Sequence, residues 1–124
     1  MIRLSLAYPP SVWKLYRGWG AGRNKTGVYK SWLRTAGNEL LATPLDRRSP
    51  VSGKFTMTVL AGRPDARARD LDNLLKSTCD LLQTHGLVKN DCLAETITVG
   101  WSPNVEKRRI EVWVWALPPE GTAA

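Results

Sequence analysis

Two repeat periods run through this chain, and together they limit the folds open to it. Ile2, Leu4, Leu6 and Tyr8 alternate with Arg3, Ser5 and Ala7, a two-residue period that sends successive side chains to opposite faces of a strand. The same period returns in Phe55, Met57 and Val59 within residues 53–61, in Ile97, Val99 and Trp101, and in Ile110, Val112 and Val114 set against Glu111, Trp113 and Trp115. Elsewhere apolar residues recur at steps of three and four. Trp32, Leu33, Ala36, Leu40 and Leu41 do so within residues 28–43, and Leu71, Leu74, Leu75, Thr78, Leu81 and Leu82 around residues 72–85. Each set forms one stripe of a helix. Pro9-Pro10-Ser11 ends the first strand, Pro44 ends the first helix, and Gly86 stands where a left-handed residue closes the second. Gly37 weakens the first helix from within. The order β-α-β-α-β-β predicts a single α+β domain, a mixed sheet packed with two helices. Residues 1–117 carry the domain, and 118–124 read as a flexible tail.

Charge is unevenly placed on this frame. Residues 1–69 sum to +10 and residues 70–124 to −3, within a net charge of +7. A basic first half and a compact acidic centre suit a polyanionic partner held near a metal site. A soluble protein with an accidental basic surface is the plainer alternative. No apolar run approaches membrane-spanning length, and the N-terminal run is too short for a secretory signal, so the expected location is the cytoplasm. Cys79 and Cys92 lack metal-site spacing and are expected to be free, Cys79 packing on the helix and Cys92 in a loop.

The acidic centre is Asp70-Leu71-Asp72-Asn73-Leu74-Leu75-Lys76, with Asp91 after the second helix. Asp70 and Asp72 flank Leu71 at the loop-to-helix junction. On a helical projection Asp72, Asn73, Lys76 and Asp80 point away from the apolar stripe. Asp91 lies in a loop able to fold back beside that helix. Two or three carboxylates can hold a hard divalent cation and leave sites for water and phosphate oxygen, while a neighbouring lysine neutralises phosphate charge. Two plainer readings compete. Aspartates at a helix start commonly cap it, and Asp72, Lys76 and Asp80 could be only an exposed ladder of charges four residues apart.

The run Pro64-Asp65-Ala66-Arg67-Ala68-Arg69-Asp70-Leu71-Asp72-Asn73-Leu74-Leu75-Lys76 resembles the signature of the RusA family of Holliday junction resolvases. The likeness continues through Asp80, Gly86 and Asn90-Asp91, and the early Tyr8-Pro9-Pro10-Ser11 with Tyr16-Arg17 is similar too. It implies a magnesium site formed by Asp70, Asp72 and Asp91, with manganese able to substitute, and a lysine, Lys76, needed for activity. It also implies a homodimer that binds four-way junctions and nicks two strands symmetrically. The chain departs from the family pattern at Val12-Trp13, at Asn90 where an acid is frequent, and at Ala66 and Ala68, which thin the arginine loop.

Candidate DNA contacts are Lys14, Arg17, Arg23, Lys25 and Lys30 from the first basic region, Arg67 and Arg69 beside the acids, and Asn73. Arg69 leads because it adjoins Asp70, and Lys107-Arg108-Arg109 rank below these. Of the six tryptophans, Trp32 is expected in the core. Trp113 and Trp115 share a strand face that lies under a helix or forms a dimer surface, and Trp13 and Trp19 either pack or stack on unpaired bases. His85 is read as a cation at a helix C-terminus. No nucleophilic triad and no phosphate loop is evident. The leading expectation is a metal-dependent junction endonuclease. The alternatives are a DNA-binding module whose acids cap a helix, and a nucleotide phosphohydrolase.

Overall fold

The computed structural model describes residues 1–11, 14–18, 24–66, 69 and 71–118. Its strands are β1 (Ile2–Ala7), β2 (Tyr16–Arg17), β3 (Asn24–Lys25), β4 (Phe55–Ala61), β5 (Ala94–Trp101) and β6 (Arg109–Ala116). Its two α-helices are α1 (Gly27–Leu41) and α2 (Asn73–Thr84). The main sheet runs β1-β6-β4-β5. β6 is antiparallel to both β1 and β4, whereas β4 and β5 are parallel. A parallel pair needs a crossover connection, which α2 supplies. The mixed sheet with two helices matches the expected α+β class.

Register explains the core. Ile2, Leu4 and Leu6 lie opposite Val114, Val112 and Ile110, which in turn lie opposite Met57, Val59 and Ala61. All nine are buried to 1% exposure or less, in one cluster with Tyr29, Trp32, Ala36 and Leu40 of α1 and Leu74, Leu81 and Leu82 of α2. Trp32 takes its expected core place, its indole N–H donating to the Ala7 carbonyl at 2.9 Å. The other sheet face carries Arg3, Thr56, Thr58, Glu111, Trp113 and Trp115. Trp113 and Trp115 therefore do not lie under a helix; alternation with buried Val112 and Val114 turns them outward, and Trp115 is 40% exposed.

Two local features were missed by periodicity. The basic loop contains the short antiparallel ribbon β2–β3, with Tyr16 opposite Lys25 and Arg17 opposite Asn24. Gly37, expected only to weaken α1, is where the helices meet: a Cβ there would stand 3.1 Å from His85 Nε2. His85 is the C-cap of α2, and Gly86 follows at φ 69°, the left-handed end that glycine tolerates. Among the described residues no helix is long and apolar enough to cross a membrane.

Candidate active site

Helix α2 sets out its polar groups one turn apart. Asp72 is its N-cap residue, with helical φ and ψ of −64° and −20° and no capping hydrogen bond from its side chain. The carboxylate is exposed, and among the described residues it takes neither a hydrogen bond nor an ion pair. One turn on, Lys76 donates to Asp80 Oδ1 at 3.2 Å. The expected ladder of charges thus closes only in its second half.

Asp80 is not simply a surface charge. Its Oδ2 accepts from the Tyr29 hydroxyl at 2.6 Å and from the Tyr16 hydroxyl at 3.1 Å. One carboxylate therefore joins α2 to α1 and to the basic ribbon, with its side chain only 20% exposed. Burial, and then the hydrogen bond to Asp80 and its charge, push the Tyr29 phenol far above its ordinary range, so it stays a proton donor. Desolvation works against the Lys76 ammonium. The hydrogen bond to Asp80 and the charges of Asp80 and Asp91 outweigh it, holding the amine above its usual pKa.

Asp91 comes back to this turn from the far end of α2. It opens a 3-10 turn, Asp91–Leu93, that Asn90 caps by accepting from the Cys92 N–H at 3.0 Å. Asn90, standing where the family often has an acid, thus has a structural task here. The Asp91 N–H donates to Gln83 Oε1 at 3.3 Å, tying the turn to α2. Its exposed carboxylate borders a cavity of about 390 Å³ with Leu75, Lys76, Cys79, Cys92 and Ile97. Both cysteines are free. Burial, reinforced by Asp91 and Asp80, pushes the Cys79 thiol up to about 11.

The predicted site residues divide accordingly. Asp91 and Lys76 are brought together, and Asp72 sits one turn before Lys76. Asp70, Arg23, Arg67, Trp13, Trp19 and the tail from 119 lie outside the described residues. Among the described residues no group of three His, Cys, Asp or Glu side chains forms a metal cluster. Arg17 and Lys25 line one shallow cavity beside the ribbon, and Lys14 and Lys30 are exposed nearby. Asn73, half-buried, is the first residue of α2. Arg69 is engaged within its own loop, its Nε and Nη2 donating to both Asp65 oxygens at 3.1 and 2.6 Å. Arg109 pairs with Glu39 at 2.6 Å.

A sequence model of one family, described as endodeoxyribonuclease RusA, matches residues 16–114 of the 124. The chain belongs to the RusA family. No match was found among curated proteins. RusA enzymes are endodeoxyribonucleases that resolve Holliday junctions in DNA recombination and repair, and as nucleases they generally depend on a divalent metal. The RusA match spans everything from the ribbon to Val114 of β6, and so takes in Tyr16, Tyr29, Asp72, Lys76, Asp80 and Asp91. Asp80, Tyr16 and Tyr29 are the members of this constellation that sequence reasoning left out of the site. The available signal was two tyrosines in or beside a basic loop and an aspartate one turn after the lysine.

Proposed function

We propose that the chain cuts four-way DNA junctions by magnesium-assisted hydrolysis, with Asp70, Asp72 and Asp91 holding the cation and Lys76 beside them. The observation that supports this most is an open carboxylate next to a fixed ammonium. Asp72 heads α2 without capping it, while Lys76 is held by Asp80 and feels the charge of Asp91. The absent cap speaks against the reading in which Asp72 only terminates a helix. Exposed carboxylate oxygens are hard donors, and magnesium takes one or two of them with water completing its octahedron. When bound, magnesium would neutralise phosphate charge and make a water more acidic.

The protein's own groups do the rest. Lys76 offers its ammonium to the phosphate oxygens, where negative charge builds in the transition state. Asp80, fixed in turn by Tyr16 and Tyr29, holds that ammonium in place before substrate arrives; it is a positioning residue. Arg17, Lys25, Lys14 and Lys30, with Arg23, Arg67 and Asn73, bind the DNA backbone. Paired symmetric nicks on a two-fold junction need two related sites and hence a homodimer. The outward face of Trp113 and Trp115 is its candidate surface.

The test is incubation with a synthetic mobile four-way junction, with and without magnesium, alongside Asp70→Asn and Asp72→Asn variants. Wild type is expected to nick opposed strands only with metal, and the variants to bind without cutting. Binding without cutting by wild type would contradict the proposal, and equal cutting of linear duplex would remove the junction preference.

A further inference from the structure

The loop that follows β4 starts at Gly62, where the backbone leaves no room for a side chain. A Cβ would stand 2.1 Å from the Glu106 carbonyl oxygen and 2.6 Å from that of Val105. Gly62 therefore lies against the β5–β6 connection, its N–H donating to the Arg109 carbonyl at 3.0 Å. This close approach delivers the next side chain, Arg63, onto the ring of Trp101 at the end of β5. The guanidinium carbon is 4.6 Å from the ring centroid, within cation–π range. Trp101 is itself stacked on Tyr8, with centroids 6.5 Å apart and planes 6° from parallel.

A guanidinium resting on a ring keeps the N–H donors at its edge available. Arg63 is exposed, and among the described residues it makes no hydrogen bond or carboxylate ion pair. Arg69 and Arg109 differ, since each is already paired with a carboxylate. Arg63 also borders a cavity of about 400 Å³ with Trp101, Ser102 and Lys107, so two cations face one concave surface. We propose that Arg63, mounted on Trp101, forms with Lys107 a phosphate-binding site for the backbone of the junction DNA. The proposal rests on junction DNA being the substrate and is independent of how the metal is held.

The experiment titrates the full chain into a fluorescent four-way junction, in chelator and at several salt concentrations, for wild type, Arg63→Gln, Lys107→Gln, the double variant and Trp101→Ala. Each lost phosphate contact lowers the slope of log affinity against log salt by about 0.9. Arg63→Gln and Lys107→Gln are each expected to lower it by about that amount and to weaken binding several-fold, with thermal melting unchanged. Trp101→Ala should weaken binding but keep the wild-type slope, because the cation remains. A double variant with wild-type slope and affinity overturns the site. Failure of wild type itself to bind the junction removes the DNA substrate and the site with it.

Discussion

Asp72 and Asp80 stand roughly two turns apart on one helix, and the fold treats the same side chain in opposite ways. Asp80 accepts from two phenols and an ammonium and is largely enclosed. Asp72 occupies the cap position, makes no cap, and faces solvent. A carboxylate saturated by protein donors is a fastener. One that is left open, beside a lysine already fixed in place, has its oxygens available to something outside the chain. The contrast separates the residue that shapes the centre from the residues proposed to hold its cation.

The largest expected effect comes from the open acids. Asp72→Asn and Asp91→Asn should each lower junction cleavage by on the order of 100-fold or more, with thermal melting and junction affinity close to wild type. A loss of stability parallel to the loss of activity would mean that they are structural. Asp80→Asn should behave the other way round. It removes the charge and turns one acceptor into a donor facing Tyr29, Tyr16 or Lys76, so stability should fall by about 1–3 kcal/mol, read by urea denaturation. Activity should drop about ten-fold through misplacement of Lys76. Tyr29→Phe keeps the ring in the core and deletes the 2.6 Å hydrogen bond, so it should reproduce about 1 kcal/mol of that cost.

How much of this was legible depended on the distance over which each feature is encoded. The four alternating segments and two helical stripes are local patterns, and they located the main sheet and both helices to within a few residues. Asp72, Lys76 and Asp91 were readable because a short motif contains two of them and a helix end returns the third. Asp80 was visible on the same helix face. Its partners Tyr29 and Tyr16 lie 51 and 64 residues away, so its task as a fastener is a tertiary fact that no local period encodes. Two-residue strands such as β2 and β3 leave no period to detect. Arg69 drew attention through its neighbour Asp70, yet Asp65 claims it, whereas Arg63 gains its place from a tryptophan that only folding brings near.

Smaller effects should follow from the thiols beside Asp91. Cys79 is lifted from its ordinary 9.0 to about 11 mainly by burial. A group whose folded-state pKa is raised favours the folded state fully below its unfolded value, and that share is lost as pH climbs through the folded value. Stability should therefore decline between about pH 9 and pH 11, and Cys79→Ala should flatten that decline, as followed by denaturant midpoints. Exposed Cys92 should react with an aromatic disulfide reagent at neutral pH while buried Cys79 reacts only on unfolding. Two equally fast thiols would show that the wall of the cavity opens readily.

Binding of manganese, followed by electron paramagnetic resonance on the full chain without DNA, separates the two kinds of aspartate most directly. Wild type and Asp80→Asn should both take up the ion, the latter on a less stable fold, while Asp72→Asn and Asp91→Asn should lose most of it. Undiminished uptake by the Asp72 and Asp91 variants, or loss confined to Asp80→Asn, would contradict the assignment of the open carboxylates as the cation's ligands.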